Sequence, residues 1–190
     1  MPRAGLNRAR VVAAAALLAD EVGFDRLTLA ALAKRLGVQL PSLYKHVAGL
    51  AALRQQLSVR AKLELADVLA RATVGKARGD ALRALGVTLR GWAADHPGAY
   101  AASLQAPSPG DADDVAASEA AIKVVYDVLE GYALDEDTRI DATRSLRAAL
   151  DGFAALEQRG AFALTRPVDA SFGWLLDSLD LALSSPPVRG

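Results

Sequence analysis

Apolar side chains recur at three- and four-residue intervals along almost the whole chain, and no stretch sustains the alternation of a half-buried strand. A chain patterned this way folds by laying helices against helices, so the fold class expected is all-α. The period places helices at about 7–22, 28–36, 40–46, 49–72, 79–95, 97–104, 112–132, 136–159 and 169–184. Grouped by character, these predict a three-helix head over 1–48, a connecting helix over 49–72, a helical body over 73–185 and a frayed tail at 186–190. With 190 residues, 52% of them apolar, the chain can build its cores without cross-links. It has no cysteine, which removes disulfides, thiolate metal sites and a Cys nucleophile, and suits the cytosol.

Turn and cap residues sit at the expected borders. Gly23 closes the first helix where a left-handed residue is wanted, Thr28 can cap the second through its hydroxyl, and Gly37 ends it. Pro41 and Pro97 fall in first turns, where a missing N–H costs little. APSPGD at 106–111 reads as a loop. Asp135, Glu136 and Asp137 stand before a long periodic run, where carboxylates complement a helix dipole; a calcium loop would need a central glycine that is missing here.

VVAAAALLA at 11–19, behind Arg3, Arg8 and Arg10, has the outline of a secretory leader. Asp20 and Glu21 follow at once, however, and Val11, Ala15, Leu18 and Val22 share one helical face, so an amphipathic first helix is the better reading. No stretch reaches the roughly 18 apolar residues a membrane span needs, so a soluble protein is expected, with no membrane partner.

The net charge of zero hides an asymmetry. Residues 1–62 carry ten Lys and Arg side chains against three acidic ones, a net +7, which leaves −7 on the remainder. A basic head on an acidic body is the pattern of a polyanion-binding module joined to a different kind of domain, because phosphate contacts dominate nucleic-acid affinity. A basic solvated face is the other reading.

Within the head, 28–46 reads as a short helix, a glycine turn and a second short helix. Leu29, Leu32, Ala33 and Leu36 give the first an apolar face, and Val38, Leu43 and Val47 give the second a matching one. Helices this short need to dock on a neighbour. Docking turns Gln39, Ser42, Tyr44, Lys45 and His46 outward behind Leu40 and Pro41, the arrangement a DNA-reading helix-turn-helix requires. Hydroxyls of Ser42 and Tyr44 suit phosphate oxygens, Lys45 adds a point charge, and Gln39 suits an adenine edge. Thr28 either caps alone or also meets a phosphate with the nearby N–H groups. His46 meets phosphate or lies on the surface, and the Tyr44 ring alternatively packs half-buried on the fourth helix.

TLAALAKRLGVQLPSLYKHVAGLAAL, residues 28–53, resembles the helix-turn-helix of TetR-type transcriptional repressors: a Thr, an Ala/Leu run, Gly-Val, and a small residue before Leu-Tyr. RAALDGFAALEQRGAF at 147–162 with PVDASFGWLLDSL at 167–179 looks like the C-terminal signature of a TetR subgroup named for a Trp/His-Gly motif. The resemblance spans the first third and the last quarter of the chain. Three positions depart from the pattern. Val47 stands where Phe is frequent, Leu50 where a DNA-backbone lysine is frequent, with Arg54 a turn later as its candidate replacement, and Asp151 where the subgroup often has His.

The resemblance implies a homodimer that binds double-stranded DNA at a palindromic operator, a repressor released by a small-molecule effector, with no cofactor and no catalytic or metal-ligating residues. It also implies a C-terminal domain holding pocket and dimer interface. Trp92, Tyr100, Tyr126, Phe153 and Phe162 are the pocket candidates, each with core filling as its alternative, and the scarcity of charges among them favours a largely apolar effector. Phe172, Leu175, Leu176, Leu179 and Leu183 form a stripe on the last helix, and Leu146, Leu150, Phe153 and Leu156 form one on the helix before it, with small residues at 148, 149, 152 and 154. These faces complete the protein's own core or also pair with a second copy. An enzyme has little to attach to, since GxSxG, Walker, GxGxxG and HExxH motifs are absent and the two histidines are far apart in sequence. A helical protein-interaction adaptor is the remaining alternative, disfavoured by the basic head.

Overall fold

The computed structural model describes residues 6–185. Arg3 and the tail expected at 186–190 lie outside the described residues. Among those described there are nine α-helices and no strand: α1 (Arg8–Val22), α2 (Leu29–Leu36), α3 (Leu40–Leu43), α4 (Leu50–Thr73), α5 (Arg78–Asp95), α6 (Pro97–Ser103), α7 (Ala112–Glu130), α8 (Glu136–Gln158) and α9 (Val168–Ser184). The all-α expectation is met. Two details differ from the sequence reading. A 3₁₀ turn at Phe24–Arg26 fills the gap between α1 and α2, and α3 ends at Leu43 instead of continuing to His46.

The chain divides into two compact units, one made of the residues up to Leu65 with Asp95–Ala120, the other of Ala66–Ala94 with the residues from Ala121 on. In the first, Val11, Ala15, Leu18 and Ala19 of α1 are buried with Leu32 and Ala33 of α2, Leu43, Val47, and Leu53, Leu57 and Ala61 of α4. Phe24 and Leu27 of the short connection are buried as well. α6 belongs to this unit through two contacts that no local pattern announces. The N-cap residue of α6, His96, makes no side-chain cap bond; instead Asp20 at the end of α1 accepts from the N–H groups of Gly98 (2.9 Å) and Ala99 (3.0 Å). At Gly98 an added Cβ would lie 2.1 Å from the Ala19 carbonyl carbon, so the two backbones touch and only glycine fits.

The N-terminal part of α7 is tied to α4 in the same unit. Lys62 donates to Asp114 at 2.6 Å, with side chains only 4% and 1% exposed. Asp114 also accepts from Ser108 N–H, and Gln55 donates to Asp111, which caps α7. Burial pushes the Asp114 carboxyl up, but the hydrogen bonds from Lys62 and Ser108 and the Lys62 charge together hold it below the usual carboxylate value.

In the second unit, Leu82, Leu85, Leu89 and Trp92 of α5 are buried with Leu146 and Leu150 of α8 and Phe172 and Leu176 of α9. Gly86 lets Leu176 come close: an added Cβ would meet its Cδ2 at 2.6 Å. Arg90 joins three helices, donating to Glu157 (2.6 Å) and Asp169 (2.7 Å) with its guanidinium 4.8 Å from the Phe172 ring centroid. Asp135 caps α8 by accepting from Thr138 N–H, the capping role expected of that acidic run.

Candidate functional site

The helix-turn-helix assembles from its turn outward. Gly37 adopts a left-handed conformation (φ 66°, ψ 32°), and its N–H and that of Val38 return to the last carbonyls of α2. Pro41 occupies the first turn of α3, Leu43 is fully buried and Val47 nearly so. After Leu43 the chain makes a hydrogen-bonded turn, in which the N–H groups of His46 and Val47 both reach Leu43 O. The recognition element is thus one turn of α-helix continued by a tighter turn. Two buried aliphatic anchors, 43 and 47, fix which side faces out.

Every residue expected on the outward side is accessible. Thr28, Gln39, Leu40, Pro41, Tyr44 and Lys45 are exposed, while Ser42 and His46 are partly so. Tyr44 is 57% exposed as a residue. Thr28 Oγ1 accepts from Ala31 N–H at 3.2 Å, so the residue caps α2.

The basic count overstates the charge offered outward. Lys62 is buried on Asp114, Arg35 pairs with Glu21 at 2.6 Å, and Arg60 pairs with Glu64 at 2.7 Å. Arg54, the candidate replacement for the family lysine, points elsewhere: it donates to Asp25 O at 2.8 Å and lies over the Phe24 ring. It acts as a strut between α4 and the 3₁₀ turn. Arg8, Arg10, Arg26, Lys34 and Lys45 remain exposed.

The five aromatic pocket candidates fall in both units. Trp92 is buried in the second unit and Tyr100 in the first. Phe153 meets Phe162 (4.7 Å between centroids) and Phe172 (4.9 Å) with tilted rings, and Arg90 lies over the Phe153 ring. Tyr126 alone of the five borders the larger cleft described in the second unit, about 570 Å³ between α7 and α8, whose walls are Ile122, Tyr126, Ile140, Thr143, Arg144, Arg147 and Asp151. An aromatic search misses the rest of these walls; the signal that finds them is the i, i+3, i+7, i+11 spacing of 140, 143, 147 and 151 on α8.

Of the residues placed at a dimer seam, Leu146, Leu150, Phe172, Leu176 and Leu183 are buried within their own unit, and Phe153, Leu175 and Leu179 are partly covered. The stripe on α9 is its inner face. Its outward side instead carries Trp174, 69% exposed, and Leu181, 71% exposed, seven residues apart and so nearly in line. On α8, Ser145, Ala148, Gly152 and Leu156 are exposed at helical spacing. Among the described residues no helix is long and apolar enough to cross a membrane, and no cluster of three or more His, Cys, Asp or Glu is placed to hold a metal.

Residues 11–55 match the family described as bacterial regulatory proteins, tetR family, and residues 82–179 match the tetracyclin repressor-like C-terminal domain. Neither description names the Trp/His-Gly subgroup. An uncharacterised HTH-type transcriptional regulator of Mycobacterium tuberculosis is 37% identical over 83% of this chain and 72% of its own length. The uncharacterised HTH-type transcriptional regulator YobS of Bacillus subtilis is 36% identical over 85% of this chain and 84% of its own. A TetR variant from Acinetobacter baumannii, crystallised in complex with minocycline, superposes with a TM-score of 0.69 at 28% identity, covering 97% of this chain and all of that one.

Proposed function

The chain belongs to the TetR family of helix-turn-helix transcriptional regulators, and we propose that it is a repressor whose paired heads occupy a palindromic operator until a small, largely apolar effector binds. The observation that carries this reading is the strip Gln39, Ser42, Tyr44, Lys45 and His46, turned to solvent by the buried anchors Leu43 and Val47. Gln39, Leu40 and Pro41 lead the element toward base edges, while Ser42, Tyr44, Lys45 and His46 serve phosphates, with Thr28 at the start of α2 as a further phosphate contact.

One such element reads only a few base pairs. Two related by a twofold axis read both halves of a palindrome whose centres lie about 34–36 Å apart. The exposed faces of α8 and α9, with Trp174, Leu181 and Leu156, supply apolar surface for that pairing, better placed than the inner stripe. Release of DNA follows if the effector favours a form in which the head spacing no longer fits, by its differential affinity for the two forms. The contact of α6 on α1 offers a lever, since Asp20 and Ala19 join the helix that carries the head to the segment that follows α5.

Selection of bound sequences from random duplex DNA tests the reading. A palindromic consensus, bound with a log–log salt slope of about −0.9 per phosphate neutralised, is expected. No enrichment, or a flat salt dependence of the kind a protein partner gives, would remove it.

A further inference from the structure

The cleft between α7 and α8 has a chemistry that narrows what fills it, and the inference drawn from it rests on the effector reading above. The geometry points to an amphipathic organic anion, a carboxylate on an aliphatic or aromatic body, as the ligand of this cleft. Its volume of about 570 Å³ lies in the range that holds small organic ligands. Ile122 and Ile140, the ring of Tyr126 and the methyl of Thr143 provide an apolar floor. Around it stand two guanidinium groups, Arg144 and Arg147, against one carboxylate, Asp151. Asp151 forms an ion pair with Arg147 at 3.9 Å, whereas Arg144 has no ion-pair partner among the described residues. Arg139, outside the cleft wall, lies 5.0 Å from the Tyr126 ring centroid.

The balance of charge therefore favours an anion, and arginine's fixed fork suits a carboxylate in bidentate fashion. A cationic ligand would find one carboxylate and two like charges. An uncharged apolar ligand would fill the floor and leave the guanidinium groups to water.

Three probes of one chain length separate these cases: decanoate, decanol and decyltrimethylammonium, each titrated calorimetrically into the full chain below its micelle concentration. Decanoate should bind at least tenfold more tightly than either other probe. In the double variant Arg144→Gln/Arg147→Gln its affinity should fall to that of decanol, while decanol is unaffected; Arg144→Lys/Arg147→Lys should restore part of the difference. Both side chains are exposed, so the variants should fold, as their unfolding midpoints will report. Preference for the cation, equal binding of all three, no binding of decanoate, or decanoate affinity unchanged in the double variant overturns the assignment. Operator binding by the ligand-free protein, measured alongside, separates this from the regulatory reading: loss of that binding counts against the regulator, whereas decanoate bound without operator release leaves the cleft assignment standing and removes release.

Discussion

Replacing Lys62 with Met isolates the cost of one uncompensated charge inside the first unit. The ammonium and the Asp114 carboxylate lie 2.6 Å apart with almost no exposure. At an effective dielectric of about 20 their attraction is about 6 kcal/mol, against a desolvation penalty of several kcal/mol for each ion. The intact pair thus stands near break-even, but half of it does not. Lys62→Met keeps the desolvated carboxylate with Ser108 as its remaining donor, and should cost about 3–5 kcal/mol at pH 7. The pH dependence carries a second signature. With its folded-state pKa depressed, Asp114 contributes stability above its ordinary value of 3.8 that is lost as the pH falls through the folded-state value. Without Lys62, burial prevails, the carboxyl moves up, and the variant's deficit should narrow as the pH drops from 7 toward 5. Urea unfolding followed by circular dichroism, at fixed protein concentration because association adds to apparent stability, reads both effects. The double change Lys62→Met/Asp114→Leu should recover most of the loss. A single variant within about 1 kcal/mol of the parent, or a double variant no better than the single, refutes the reasoning.

Gly98→Ala should destabilise by about 1–3 kcal/mol or more, because the new methyl meets backbone that cannot rotate away, and it should weaken operator binding without effector; an unchanged unfolding midpoint would mean that α6 does not press on α1 as described. Trp174→Glu with Leu181→Glu should convert a dimer to monomer by light scattering with far-ultraviolet dichroism unchanged, since neither side chain is in the core; a persisting dimer would place the seam elsewhere. Lys45→Ala should weaken binding to all duplexes alike and make the salt slope shallower by about 0.9, a result checked by fluorescence anisotropy across salt; unchanged affinity removes its phosphate role.

Local chemistry made the helix borders readable. Thr28, Gly37, Pro41 and Asp135 each act within a few residues of themselves, and each sits where its side chain or backbone freedom requires. The outward strip of the head was readable for the same reason, since two aliphatic anchors four residues apart settle its direction. Asp20 and Gly98 were not, because a cap supplied from 78 residues away leaves no trace in the local pattern. Lys62 and Arg54 look like the other cations of the head until the fold shows one sealed on a carboxylate and the other braced on a carbonyl. On α9 the regular stripe is the covered face, the core packing that the spacing had left open beside a seam.

The way α6 is seated has a practical corollary for anyone recombining these regulators. The piece of polypeptide that carries the DNA-reading surface is not contiguous, since Ala19 and Asp20 reach completion only with the backbone near Gly98. A graft that exchanges only the first fifty residues between relatives would strip a carboxylate of its two amides and press a foreign side chain on a surface shaped for none. Transplants that carry the α6 stretch along with the head should survive where shorter ones fail.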